Sequence, residues 1–131
     1  MMTRDGPVLA VLVAIAFGAV LGAWLRWGLS YWLKTRAALP LGTLAANLIG
    51  AYLIGLAVAA FAMNPALSPF WRLFLITGFL GGLTTFSTFS AESVALLAGG
   101  QWGLALSHTA AHLLGSLAAT GAGIATVRAL S

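Results

Sequence analysis

The sequence predicts an all-α integral membrane protein with four transmembrane helices, and three observations carry that reading. Of 131 residues, 61% are hydrophobic and only 6% charged, a balance that a water-soluble domain with a charged surface does not reach. Charge-free runs cover 6–25, 37–71, 73–91 and 93–127, and about 20 mostly apolar residues suffice to cross roughly 30 Å of hydrocarbon. The stretches between the runs are short and nothing marks a linker, so residues 1–131 form a single four-helix transmembrane domain.

Helix one runs from about Pro7, where a missing backbone N–H costs nothing, to about Leu33, and Lys34 with Arg36 marks its watery end. The apolar run that follows Met1-Met2-Thr3-Arg4-Asp5 exceeds the roughly 7–15 residues of a cleaved leader, so this segment is expected to stay in the membrane. Helix two starts after Pro40 and ends near Met63. Pro65 and Pro69 then prevent helix continuation and make 64–69 the plainest loop in the chain. Helix three covers about Phe70 to Leu97 with an interruption near Gly81-Gly82. Gly99-Gly100-Gln101 is a short turn, and helix four covers about Trp102 to Arg128.

Composition excludes several classes of function. The absence of cysteine removes disulfides, thiolate chemistry and soft-metal sites. A net charge of +4 would suggest nucleic acid in a soluble protein, but the six basic residues stand singly at helix ends, with no patch to follow phosphates, so no nucleic-acid partner is expected. Glu92 is the only carboxylate beyond the N-terminus and there is no Gly-x-Ser-x-Gly elbow, which argues against an enzyme. Gly18 and Gly22 form a small-xxx-small pair suited to close helix contact in lipid. Trp24, Trp27, Trp32, Trp71 and Trp102 lie toward helix ends, as interfacial anchors among membrane lipid do.

Orientation follows from the same charges. With four spans, the N-terminus, the 64–69 loop and the C-terminus share a side that holds Arg4, Arg72 and Arg128; the other side holds Lys34 and Arg36, with Arg26 a little inside. The positive-inside rule needs an imbalance, and there is almost none. Such a chain could insert both ways up, and its natural assembly would be an antiparallel, dual-topology homodimer. A single orientation set by something other than charge is the alternative.

The polar residues inside the spans are the candidate site. Gly78 to Ser90 combines glycines, three phenylalanines and, within Thr84–Ser90, five hydroxyls, and irregular or polar backbone at that depth is tolerated only against protein or a wet cavity. Thr43 and Asn47 share a face of helix two, the asparagine being interhelical glue or a ligand contact. His108, His112, Ser116 and Thr120 form an i, i+4 row on helix four that must face protein or water. The two histidines could bind a metal, but no carboxylate or cysteine is expected beside them, so polar lining or interhelical bonding is preferred. Phe86 and Phe89 share a face; such residues usually pack, yet a ring's electropositive edge beside hydroxyl and amide donors would suit a small anion that sheds water. The lack of a fixed cation ladder fits passage rather than tight binding.

These residues resemble the small bacterial fluoride channels of the Fluc or CrcB family over nearly the whole chain. The likeness rests on Gly18-x-x-x-Gly22-Ala23-x-x-Arg26, on Gly42-Thr43-Leu44-x-x-Asn47-x-x-Gly50, and above all on Gly78-x-x-Gly81-Gly82-x-Thr84-Thr85-Phe86-Ser87-Thr88-Phe89 with Glu92. Helix four matches mainly by length and by Ser116, and Trp27 stands where the family often has tyrosine. The resemblance implies a dual-topology antiparallel dimer in a bacterial inner membrane, with two pores exporting fluoride passively and a structural sodium ion at the centre. It implies ring-edge contacts from Phe86 and Phe89, an amide donor in Asn47, and a polar track extended by Thr43, Thr88 and Ser116. The Gly81 and Thr84 carbonyls would hold the sodium, and Arg26 and Glu92 would lie at a vestibule or an interface. A small four-helix drug exporter is the alternative, but it would need a carboxylate deep in helix one, which this chain lacks; a non-transporting scaffold is a third reading.

Overall fold

The computed structural model describes residues 1–34 and 39–131. Arg36, counted above in the charge balance, lies outside the described residues. An unforeseen short hairpin opens the chain, β1 (Met2–Thr3) pairing antiparallel with β2 (Gly6–Pro7). It turns through Arg4 and Asp5, and Gly6 just beyond them sits at φ 131°, a conformation that costs glycine little.

Helix α1 spans Val8–Trp32 and α2 spans Leu41–Met63, each preceded by a proline. The third span, Pro69–Ala98, is composite. It begins as α3 (Pro69–Arg72), capped by the Ser68 hydroxyl on Phe70 N–H, and continues as a π-helical run over Leu73–Leu80 and the short α4 (Gly81–Leu83). After two extended residues it ends as α5 (Phe86–Ala98). Gly81 and Gly82 are themselves helical; the extended residues are Thr84 (ψ 153°) and Thr85 (ψ 121°), so the interruption falls just after the position expected from the glycine pair. A turn through Gly100 at φ 72° leads into α6 (Trp102–Ala129).

Small residues decide which helices meet, as expected where lipid supplies no hydrophobic drive between helices. A methyl on Gly18 or Gly22 would run into the backbone of Phe74 or Phe79, and one on Gly82 into Ala19 O, so α1 lies directly on the π-helical run and α4. Gly55 and Gly123 do the same for α2 and α6, where a side chain on either would strike the opposing backbone. Tyr52 Oη with Thr126 Oγ1 (3.1 Å) and Thr120 Oγ1 donating to Ala51 O (3.0 Å) tie that pair further. Among the described residues, Ala46, Leu80 and Leu83 form a buried apolar cluster. Leu9, Leu12, Phe17 and Leu106 point outward, as they should toward lipid. At one end Arg72 pairs with Asp5 (3.1 Å) and Ser131 Oγ meets Met63 Sδ (3.4 Å), which brings the N-terminus, the 64–69 loop and the C-terminus together.

Candidate functional site

The site grows out of the two extended residues. In an unbroken helix the Thr85 N–H would bond Gly81 O and the Thr88 N–H would bond Thr84 O. Here Thr85 N–H donates to Asn47 Oδ1 (2.8 Å) and Thr88 N–H to Thr85 Oγ1 (3.1 Å). Both carbonyls therefore lose their helical donors, and orphaned backbone groups at membrane depth require another partner. Gly82 O receives Arg26 Nε–H (3.1 Å), which places Arg26 on α1 against the interruption.

Asn47 stands in for the missing backbone. Its Nδ2 donates to Thr85 O (3.0 Å) while its Oδ1 accepts from Thr85 N–H, so the amide brackets one residue from both sides and its orientation is fixed. The second Nδ2 hydrogen goes to His112 Nδ1 (3.1 Å). That nitrogen must then be the acceptor, and the proton of the neutral ring sits on Nε2. Both Asn47 N–H groups are thus engaged within the chain, which is the interhelical role that the residue pattern left open beside a ligand contact.

Around this scaffold lies a cavity of about 500 Å³ bordered by Asn47, Thr84, Thr85, Phe86, Phe89 and Ser116, among others. The Phe86 and Phe89 rings are 5.4 Å apart and tilted by 59°. Phe86 is 79% exposed in the single chain, whereas Phe89 lies over His112 (4.6 Å) and His108 (5.4 Å). Thr88 receives the Thr85 hydroxyl (3.1 Å) and so belongs to the bracing of the interruption. Gly81 also borders the cavity and is exposed.

Thr43 and Glu92 border a second cavity, of about 490 Å³, which reaches Lys34 and Gln101 at the end of the bundle. Thr43 donates its hydroxyl to Glu92 Oε1 (2.6 Å), and Glu92 Oε2 lies 3.5 Å from His108 Nε2. The candidate polar track therefore falls into two chambers. Asn47 and Ser116 belong to one, Thr43 and Glu92 to the other, and the Phe89–His108–His112 stack stands beside both groups.

This arrangement corrects one expectation. No carboxylate was expected near the histidines, yet one ligand atom each from Glu92, His108 and His112 lie within 4.8 Å of one another. The signal was present in the chain. Glu92 and His108 are equally far from Gly100 in sequence, so an antiparallel helical hairpin turning there brings them level. The part played by Thr85 was not foreseen either, because its neighbours in sequence do not include Asn47.

A family described as CrcB-like protein, Camphor Resistance (CrcB), matches residues 13–124. Among similar proteins, one from Chromohalobacter salexigens is 62% identical over 91% of this chain and 91% of its own length. One from Cupriavidus pinatubonensis is 59% identical over 91% and 95%, and one from Variovorax paradoxus is 55% identical over 95% and 99%. All three carry the name fluoride-specific ion channel FluC.

Proposed function

The chain belongs to the CrcB family, and from that premise we propose that it is a multi-pass membrane channel, not an enzyme, that lets fluoride leave the cell passively. The observation that carries the reading is the cavity beside the interrupted third span, where the rings of Phe86 and Phe89 stand beside the Asn47 amide and the Ser116 hydroxyl. Ring edges and neutral donors together offer a small, strongly hydrated anion a replacement for part of its water shell. Among the described residues no lysine or arginine borders this cavity, so the ion is not held too tightly to pass.

The functional unit is an antiparallel homodimer with two pores. A chain that leaves Phe86 and the Gly81 region uncovered, with orphaned carbonyls beside them, is incomplete in lipid. A second copy related by a twofold axis in the membrane plane would cover both. The near-even count of basic residues permits the two orientations that this dimer requires. The Gly81 and Thr84 carbonyls of the two copies would then face a common axis and would hold one structural sodium ion, a neutral oxygen cage without a carboxylate. In each pore Asn47 would lend an N–H to the passing fluoride while it keeps Thr85 bracketed.

The test is fluoride efflux from liposomes that contain the purified chain, followed with a fluoride electrode. Rapid fluoride release with chloride retained is expected. Equal release of both ions, or none from well-reconstituted protein, would remove the reading, and proton-driven export of an organic cation would favour the drug exporter.

A further inference from the structure

Among the described residues four buried polar atoms have no hydrogen-bond partner: Ser93 Oγ, and the trio Glu92 Oε2, His108 Nε2 and His112 Nε2. His108 is 1% exposed and His112 5%, so no bulk water compensates them, and buried groups of this kind nearly always have a partner. One ligand atom of each residue falls within 4.8 Å of the other two, and His108 Nε2 and Glu92 Oε2 are 3.5 Å apart. A tetrahedral ion with bonds of about 2.0–2.1 Å needs ligand atoms roughly 3.3–3.5 Å from one another, so the Glu92–His108 pair is already spaced for it and His112 must close in by at most about 1.5 Å.

We propose that Glu92, His108 and His112 form a binding site for a divalent first-row transition-metal ion, such as zinc, at the junction of α2, α5 and α6. Two imidazoles and one carboxylate are the donor set of borderline ions. An oxygen-only site would suit calcium or magnesium instead. The Thr43 hydroxyl holds the other carboxylate oxygen, and such outer hydrogen bonds orient ligands in metal sites. A fourth position is left for water. The cavity shared by Thr43 and Glu92 offers a route from the end of the bundle, past the long and flexible Lys34.

Occupancy has a consequence for Asn47. A metal requires a free imidazole lone pair, and on His112 the Nδ1 lone pair is taken by Asn47 Nδ2 while Nε2 carries the proton. Ligation through Nδ1 displaces Asn47. Ligation through Nε2 moves the proton to Nδ1, where it would confront another donor. By either route the metal breaks the Asn47–His112 hydrogen bond, so metal and Asn47 compete for His112. If the channel reading above holds, metal binding also disturbs the residue that braces the pore.

The test is titration of untagged, detergent-purified protein with Co2+, read by its visible absorption, followed by displacement with Zn2+. One Co2+ per chain with strong four-coordinate bands is expected. Glu92→Gln and His108→Gln, which keep size and hydrogen bonding, should weaken binding roughly a hundredfold or more, beyond the loss of an outer-shell partner. Asn47→Ala should tighten it roughly fivefold, the worth of one released hydrogen bond. Wild-type protein that shows no such bands overturns the site without recourse to any variant, as does binding that survives both ligand substitutions. Binding that weakens in folded Asn47→Ala overturns the competition. In liposomes, saturating Zn2+ should slow fluoride efflux; unchanged efflux overturns the coupling to the pore. Absence of fluoride efflux altogether counts against the channel reading alone, because the Co2+ titration still decides the site.

Discussion

Two phenylalanines three residues apart occupy different surroundings, and this separates what each contributes. Phe86 is 79% exposed and rests on little of its own chain, while Phe89 lies over both histidine rings. Isoleucine keeps most of the bulk and apolarity but has no ring quadrupole. Phe86→Ile should therefore leave subunit stability within about 0.5 kcal/mol and abolish fluoride flux. Phe89→Ile should abolish flux and also cost about 0.5–1.5 kcal/mol from its lost ring contacts. Thermal unfolding together with liposome efflux separates the two, and wild-type flux in both variants would reduce the rings to packing. The phenylalanines and Asn47 were legible in the sequence, because an amide and clustered hydroxyls at membrane depth demand a reason. The bracketing of Thr85 by Asn47 was not, since it depends on which turn of α2 faces the third span.

At the scale of elements, α1 and α2 satisfy part of what the interruption of the third span leaves open: Arg26 takes Gly82 O and Asn47 takes Thr85. Close approach of α1 is the precondition. A methyl on Gly22 would collide with Phe79 O and come within 2.8 Å of Leu83 N, both backbone atoms that cannot swing away. Gly28, on the same helix, has nothing within 4 Å of a methyl. Gly22→Ala should cost about 1–3 kcal/mol through overpacking and slow flux by displacing Arg26. Gly28→Ala should be neutral or stabilising by up to about 1 kcal/mol. Equal unfolding temperatures for the two would refute this account of the contact. Helix ends were legible from prolines and glycines, which act locally. The π-helical run over Leu73–Leu80 was not, because its composition is that of any apolar helix and its winding answers to the neighbouring α1.

For the whole molecule, the decisive fact is how little of the chain's polar machinery one copy covers. Four spans and their shared end were legible from charge-free runs, and the Asp5–Arg72 pair fits that count. The second copy proposed above would leave only indirect marks in one sequence, chief among them the nearly equal numbers of basic residues on the two sides. Two lysines added to the 64–69 loop should therefore force one orientation and abolish flux when the variant is expressed alone. Co-expression with a partner biased by lysines near Lys34 should restore it, and full activity of a verified single-orientation population would exclude the antiparallel dimer. Gly81 provides the sharper probe of the dimer axis. Within one chain a methyl at Gly81 comes no closer than 3.8 Å to Ile76 O, so no neighbour in the same copy requires glycine there. If glycine is needed, the requirement comes from what lies against the exposed face, which on this reading is the same segment of the partner and the sodium between the two pairs of carbonyls. Gly81→Ala should thus fold and insert like the wild type, while Gly81→Leu should insert but dissociate to monomers and lose sodium. Thr84→Ser should keep both, because backbone oxygens supply the ligands. Size-exclusion mass measurement in detergent and sodium content by elemental analysis follow the two properties separately. A stable, sodium-bearing Gly81→Leu dimer would show that the axis does not pass through this segment.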